Sequence, residues 1–197
     1  MSTRNLSLII IVAVILLFGG CACSGYNGLV AKDENVKNKW ANVQSDYQRR
    51  SDLIPNLVNT VKGYAAQEQR VLVEVTEARA SATQVKVDAS TITNPAQFQA
   101  YQQAQDKLSG VLGRLMMIQE RYPDLKSNEN FLALQSQLEG TENRIAVERR
   151  RFNEAVREYN TRLGLFPGTI VARLAGFRPK AFFEAAPDAA TPPKVKF

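Results

Sequence analysis

An uncharged apolar run from Leu6 to Cys23, leading almost directly into a long chain of heptad-spaced apolar residues, constrains this protein more than any other feature. Leu6 through Phe18 is strongly apolar, Gly19-Gly20-Cys21-Ala22-Cys23-Ser24-Gly25 extends it with small residues, and no charge stands between Arg4 and Lys32. Crossing a bilayer takes about 20 mostly apolar residues, a length reached only when the small residues are counted. The strict apolar core alone has the length of a signal-peptide core. Two readings follow: an uncleaved transmembrane helix, or a lipoprotein signal in which Cys21 becomes the acylated first residue. Phe18 stands where such a signal carries an aliphatic residue, and Arg4 with the terminal amine supplies the only positive charge ahead of the run. The uncleaved helix is therefore preferred. Arg4 on one flank against Lys32, Lys37 and Lys39 on the other favours a cytoplasmic globular part. A signal-like start favours the opposite side, and the sequence leaves the orientation open.

Some 170 residues follow, enough for one domain with its own core. The net charge is +6, but the 25 basic residues are interleaved with 19 acidic ones rather than gathered into an aromatic-studded stripe, which predicts a solvated helix surface and no nucleic-acid partner. The basic clusters Arg49-Arg50 and Arg149-Arg150-Arg151 pair with glutamates on their own helices or meet acidic lipid. Both cysteines lie in the apolar run, so neither staples the folded domain.

Four helical stretches are predicted. Leu29, Val36, Trp40, Val43 and Tyr47 recur at spacings of three, four and seven, and no proline stands between Leu6 and Ser51, so the first helix continues straight out of the apolar run. At Ser51-Asp52-Leu53-Ile54-Pro55 a tight turn or sharp kink is expected, because proline donates no N–H and crowds the preceding turn. A second helix carries Leu57, Val61, Tyr64, Glu68, Val71, Val75, Ala78 and Ala82. Asn94-Pro95 is a cap followed by proline at the first helical position, opening a third helix to about Arg121 with Phe98, Tyr101, Gln105, Leu108, Leu112, Leu115 and Ile118 on one stripe. After Tyr122-Pro123-Asp124, a last helix starts near Ser127 and keeps heptad register from Phe131 to Tyr159. Thr141 and Glu148 interrupt that seam, with Asn153 and Asn160 beside it. These predict polar layers that fix register and are matched from facing helices.

The expected fold is thus all-α: an N-terminal transmembrane helix followed by an antiparallel helical bundle, of four helices, or three if Pro55 only kinks a long one. The expected division is 1–25 anchor, 26–164 bundle and 165–197 C-terminal extension, with a short apolar helix or turn around Ile170 to Leu174 and disorder from about Ala185.

The chemistry census is largely negative. The chain has no histidine, which excludes Ser-His-Asp and Cys-His sites, Glu-x-x-His di-iron sites and His-ligated haem or zinc. No phosphate-cradling glycine motif is present. No catalytic, cofactor or metal residue is assigned, and the protein is read as no enzyme. The alternative is a ligand-binding or enzymatic bundle using carboxylates such as Glu142 and Glu148. The preferred reading is an interaction or scaffold element held to membrane lipid by its N-terminal helix. Its protein partner is unidentified, it has room to form homo-oligomers, and its contact surface is expected around Asp52 to Tyr64.

Several ordered strings resemble a known family. They include Tyr26-Asn27-Gly28-Leu29-Val30, Tyr47-Gln48-Arg49-Arg50-x-Asp52-Leu53-Ile54-Pro55-Asn56-Leu57-Val58, Tyr122-Pro123-Asp124-Leu125-Lys126-Ser127, Leu138-Glu139-x-Thr141-Glu142-Asn143-Arg144-Ile145, Arg151-Phe152-Asn153-x-x-Val156-x-x-Tyr159-Asn160 and Phe182-Phe183-Glu184-Ala185. Together they resemble the LemA family of bacterial membrane proteins, over roughly Ile9 to Glu184. The resemblance implies a single membrane helix, a location in the bacterial inner membrane and a helical bundle behind it. It carries over no catalytic residues. The chain departs from the family pattern at Gly19-Gly20-Cys21-Ala22-Cys23, where bulky apolar residues are usual.

Overall fold

The computed structural model describes residues 3–85 and 90–184, with the side chains of residues 3–11, 14, 15, 18 and 21 outside that description. Among the described residues all regular structure is helical. The expectation of disorder beyond Ala185 falls outside the described residues.

The first helix, α1, runs without interruption over Thr3–Tyr64, with Pro55 inside it. The tight turn expected at Ser51 to Pro55 is absent and the helix continues through the proline, as in the alternative of one long helix, for a specific reason. A proline within a helix frees the carbonyl four residues earlier, here that of Ser51, and the helix persists only if that oxygen finds another donor. Arg79, from the next helix, donates its Nε–H to the Ser51 carbonyl at 2.9 Å.

The chain reverses instead between Ala65 and Glu68, and α2 follows over Gln69–Gln84. The predicted second helix is therefore divided: Leu57 and Val61 complete α1, whereas Val75, Ala78 and Ala82 belong to α2. Folding α2 back along α1 puts Leu72 and Val75 into the same core cluster as Ile54, Leu57 and Val61. No side-chain cap announces the reversal, since Glu68 at the N-cap makes no cap hydrogen bond.

Later boundaries follow local chemistry more closely. Asn94 accepts a hydrogen bond from the Gln97 N–H and Pro95 opens α3, Pro95–Met117, which tightens into a 3₁₀ turn over Ile118–Arg121. Pro123 starts a single turn, α4, Pro123–Lys126. The long α5, Glu129–Gly164, is capped by Asn128 rather than Ser127: the Asn128 side chain accepts from the Phe131 N–H at 2.9 Å. Ser127 instead donates to the Asp124 carbonyl. The short helix foreseen near Ile170 is α6, Gly168–Ala175. Gly168 lies so close to the Arg162 carbonyl that a β-carbon would collide with it. Gly176 ends α6 at φ 76°, a left-handed conformation that suits glycine.

The C-terminal half of α1 with α2, α3 and α5 forms an up-down-up-down bundle, so four helices pack as expected but with shifted boundaries. Antiparallel register between α1 and α5 is marked by Lys32 to Glu158, Asp46 to Arg144 and Arg50 to Glu142. Two core clusters lie along the bundle axis. One is largely aliphatic and joins Ile54, Leu57, Leu72, Leu108, Leu115 and Phe131. The other is dominated by aromatic rings and joins Trp40, Tyr47, Phe98, Tyr101, Phe152, Tyr159 and Phe183.

At its other end, Val12, Leu16 and Leu17 of α1 are exposed, and among the described side chains the first buried position is Gly25, beside Val171 and Pro167. Among the described residues no helix is long and apolar enough to cross a membrane. Most side chains of the Leu6 to Cys23 run, on which the expected span rests, lie outside the description.

Candidate functional site

Two polar features sit inside this otherwise apolar bundle. The first is a layer between the two core clusters, centred on Arg50, whose side chain is 1% exposed. Its guanidinium donates to Ser109 Oγ at 2.6 Å and to Glu142 Oε1 at 2.9 Å, and also to the carbonyl and side-chain oxygens of Gln105. Ser109 donates onward to Glu142 Oε2 at 3.3 Å, and Gln105 donates to the Ala82 carbonyl at 3.3 Å. The Tyr47 ring lies under the guanidinium, 4.9 Å from its centroid. One arginine on α1 thereby ties together α3, α5 and, through Gln105, α2. Its Nε is buried without a hydrogen-bond partner, so the charge is offset by the four bonds from the two terminal nitrogens and by a carboxylate partner that keeps one side toward water.

Beside this layer lies a cavity of about 170 Å³ lined by Tyr47, Ser51, Ala82, Tyr101, Gln105 and Leu108, among others. The Tyr47 hydroxyl and Ser51 Oγ are buried without a hydrogen-bond partner. Burial pushes the Tyr47 phenol up to about 12, so it stays protonated in any physiological range.

The second feature is a groove filled by the chain's own end. After Gly176 the backbone runs extended along α5 in the opposite direction, over residues 177–184. Three side-chain amides hold it, each pairing with both backbone groups of one residue. Asn160 donates to the Lys180 carbonyl at 2.9 Å and accepts its N–H at 3.0 Å. Asn153 does the same at Phe183, with both distances 2.9 Å. Gln102, on α3, donates to the Glu184 carbonyl at 2.8 Å and accepts its N–H at 3.1 Å. The Ala181 N–H donates to the Ile92 carbonyl, and the Tyr159 hydroxyl to the Arg178 carbonyl.

Two side chains of this strap plug the groove. Phe183 packs tilted or edge-on among Phe98, Phe152 and Trp40 at centroid distances of 4.8, 5.4 and 6.0 Å, with the Arg149 guanidinium 4.5 Å over its ring. Lys180, 6% exposed, reaches Asp33 at 2.6 Å and lies 5.0 Å over the Tyr159 ring. Burial alone would raise the Asp33 pKa, but the hydrogen bonds from Lys180 and Lys37 outweigh it and hold the carboxyl below its ordinary value.

The polar positions singled out in the sequence are thus distributed differently from expectation. Thr141 is buried but satisfied within α5, donating to the Gln137 carbonyl and accepting from Arg144. Glu148 bonds Arg151 and Asn42 at the surface of the α1 to α5 seam, and Glu142 bonds Arg50 and Ser109. Each carboxylate is committed to its own cation, and they do not meet as a pair. Asn153 and Asn160 are matched by strap backbone, not by facing helices. The Asp52 to Tyr64 stretch is continuous helix rather than a turn. Cys21 lies in α1 with its side chain outside the description, whereas Cys23 is exposed and unpaired. Gln105 sits on the core-facing stripe as expected, Arg50 is a buried tie rather than part of a surface cluster, and Gln102 and Lys180 carry no expectation from the sequence. For Arg50, Gln102 and Gln105 the one sequence signal is position: a charge or amide on the core-facing side of an amphipathic pattern.

The LemA family model matches residues 39–197, which include the Arg50 layer and the strap with its three amide partners but not Asp33. The chain is also similar to Magnetosome protein MamQ 2 of Paramagnetospirillum magneticum, 26% identical over 94% of this chain and 74% of that protein. Magnetosome protein MamQ of Magnetospirillum gryphiswaldense is 27% identical over 85% of this chain and 67% of its own length. Protein LemA of Metamycoplasma hominis is 22% identical over 81% of this chain and 69% of its own. None of these descriptions is that of an enzyme. The match over most of its length places this chain in the LemA family.

Proposed function

We propose that the protein is a membrane-tethered interaction element, in which a spanning helix from Leu6 to about Cys23 holds the bundle at a bacterial inner membrane, and the bundle presents its surface to a protein partner. The observation that carries this reading is the form of α1. Among the described side chains of α1, every one before Gly25 is exposed, Leu16 and Leu17 at about seven-tenths, and some 18 residues at 1.5 Å each span roughly 27 Å. An apolar run of that length is costly to expose to water and favourable in hydrocarbon. The continuous helix transmits the bundle's orientation rigidly, since Pro55, its only internal proline, is compensated by Arg79. An interaction role draws support from the commitment of Glu142 and Glu148 to structural partners. The names of the relatives, which are not those of enzymes, agree with it.

Intact mass of the protein extracted from native membranes tests the anchor. The expected result is a full-length mass. Loss of the residues before Cys21 with an added lipid mass replaces the spanning helix by acylation, and protein found wholly in the high-speed supernatant contradicts the tether. For the interaction role, cross-linking in native membranes is expected to recover partners that depend on the bundle. Equal recovery with and without the bundle contradicts it.

A further inference from the structure

We propose that the groove over Asn153, Asn160 and Gln102 is an exchange site between copies of this chain, in which the strap 177–184 of one molecule seats in the groove of a second and receives that molecule's strap in return. The proposal deepens the interaction reading and rests on it, because the tether is what brings copies side by side.

The contacts themselves define what the groove accepts. Three amide side chains pair with the N–H and C=O of positions 180, 183 and 184, so the groove takes an extended backbone. This is the hydrogen bonding of an added strand, supplied here by side chains on two helices. Specificity comes from two side chains three residues apart: an ammonium that reaches Asp33 between Lys37 and the Tyr159 ring, and a phenyl ring that fills the space between Trp40, Phe98 and Phe152. The segment known to satisfy every one of these demands is Lys180-Ala181-Phe182-Phe183-Glu184, and each copy carries it.

A groove without a strap is unfavourable. It would expose the rings around Phe183 and take from Asn153, Asn160 and Gln102 the backbone groups they pair with. A strap that leaves its own groove is therefore replaced by another of the same sequence. Every contact named above lies between the strap and the bundle, so it is the same whether the strap arrives in cis or in trans. The balance is then set by effective concentration, which a shared membrane raises. The connection permits the exchange: after Gly164 come a short linker, the eight-residue α6 and the left-handed Gly176, at which the chain turns into the strap. Reciprocal seating is closed and two-fold symmetric, the usual form of such an exchange.

The Asp33 to Lys180 pair gives the test. Full-length Asp33→Lys and Lys180→Asp variants each place like charges together and are expected to melt several degrees below the wild type. When the two are mixed, exchange creates one groove with the original pair and one with the reversed pair. The expected result is a one-to-one heterodimer by native mass spectrometry of the detergent-solubilised mixture, with most of the lost Tm recovered. Homomeric masses alone, with the two melting transitions superposed, overturn the proposal. A second measurement does not depend on charge reversal. Full-length Phe183→Ala, titrated with a synthetic peptide of residues 177–184, is expected to gain Tm saturably, and to gain none from a peptide with alanine at positions 180 and 183. Absence of any gain with the unaltered peptide also overturns it. Either failure leaves partner recovery from native membranes unaffected, so the exchange and the broader interaction role fail separately.

Discussion

The two ends of the bundle are closed by different means. Around Leu57, Leu72, Leu108 and Leu115 the core is aliphatic, and helices close it on all sides, with the single turn α4 contributing Leu125 at the tip. Around Trp40, Phe98 and Phe152 the closing element is an extended strap, pinned by side-chain amides and plugged by Phe183. Between them the Arg50 layer joins three helices directly. A helix satisfies its own backbone, so packing is all that its neighbours need supply. An extended strap has no internal hydrogen bonds, and the bundle must offer a partner for each buried N–H and C=O. The aliphatic end can therefore be rebuilt from apolar volume, whereas the aromatic end depends on particular amides in particular places.

The largest expected effect that separates the two ends is Phe183→Ala. Removing a buried phenyl ring from a ring cluster costs about 3–5 kcal/mol. Hydrogen exchange should accelerate at Ile145 to Tyr159 and at Phe98 to Gln102, while Leu108 to Leu115 stays protected. Equal acceleration at both ends would mean that they unfold as one unit. Glu142→Ala tests the layer between them. It leaves the buried Arg50 without its carboxylate, a loss of about 3 kcal/mol, near the low end for a broken buried pair because Glu142 is partly solvated. Chemical denaturation should show this loss, and a change within 0.5 kcal/mol would make Arg50 indifferent to its partner.

Arg79→Ala removes the donor that Pro55 makes necessary, at an expected cost of about 1–3 kcal/mol for the unsatisfied Ser51 carbonyl. Pro55→Ala restores an N–H to that oxygen, so the double variant should recover much of the loss. Simple additivity in the double-mutant cycle would break the link between the two residues. The smallest effect concerns acid stability. Asp33 has a folded pKa below its ordinary 3.8, so its contribution is complete above the unfolded value and is lost as pH falls through the folded one. Asp33→Asn should flatten that acid limb. An unchanged slope of stability against pH below about 4 would show that the carboxylate is not what Lys180 holds.

Sequence patterning exposes the two ends unequally for the same physical reason. Heptad spacing reports helices that bury a stripe, and it located Phe98 to Ile118 and Phe131 to Tyr159 within a few residues of the observed α3 and α5. It could not locate the end of α1. Pro55 carries the strongest break signal in that region and is neutralised by Arg79, 24 positions later, whereas the true reversal at Ala65 has no cap or proline. The strap has neither helical nor strand periodicity, because its partners are side chains on two helices. Its trace in the sequence is indirect: Asn153 and Asn160 stand seven residues apart beside the apolar seam, a spacing that predicts buried amides without saying whose backbone they meet. Arg50 is similarly hidden, since an arginine beside exposed Arg49 on an amphipathic helix resembles a surface charge until α3 and α5 converge on it.

The most direct test of this account is residue-resolved hydrogen exchange of the full-length protein at the amides of Lys180, Ala181, Phe183 and Glu184. These four donate to Asn160, the Ile92 carbonyl, Asn153 and Gln102. Protection comparable to that of the Ile145 to Tyr159 helix is expected, with its loss at Lys180 and Phe183 in an Asn153→Ala, Asn160→Ala variant. Exchange of all four at the rate of an unstructured peptide, with the aromatic cluster still intact, would contradict it.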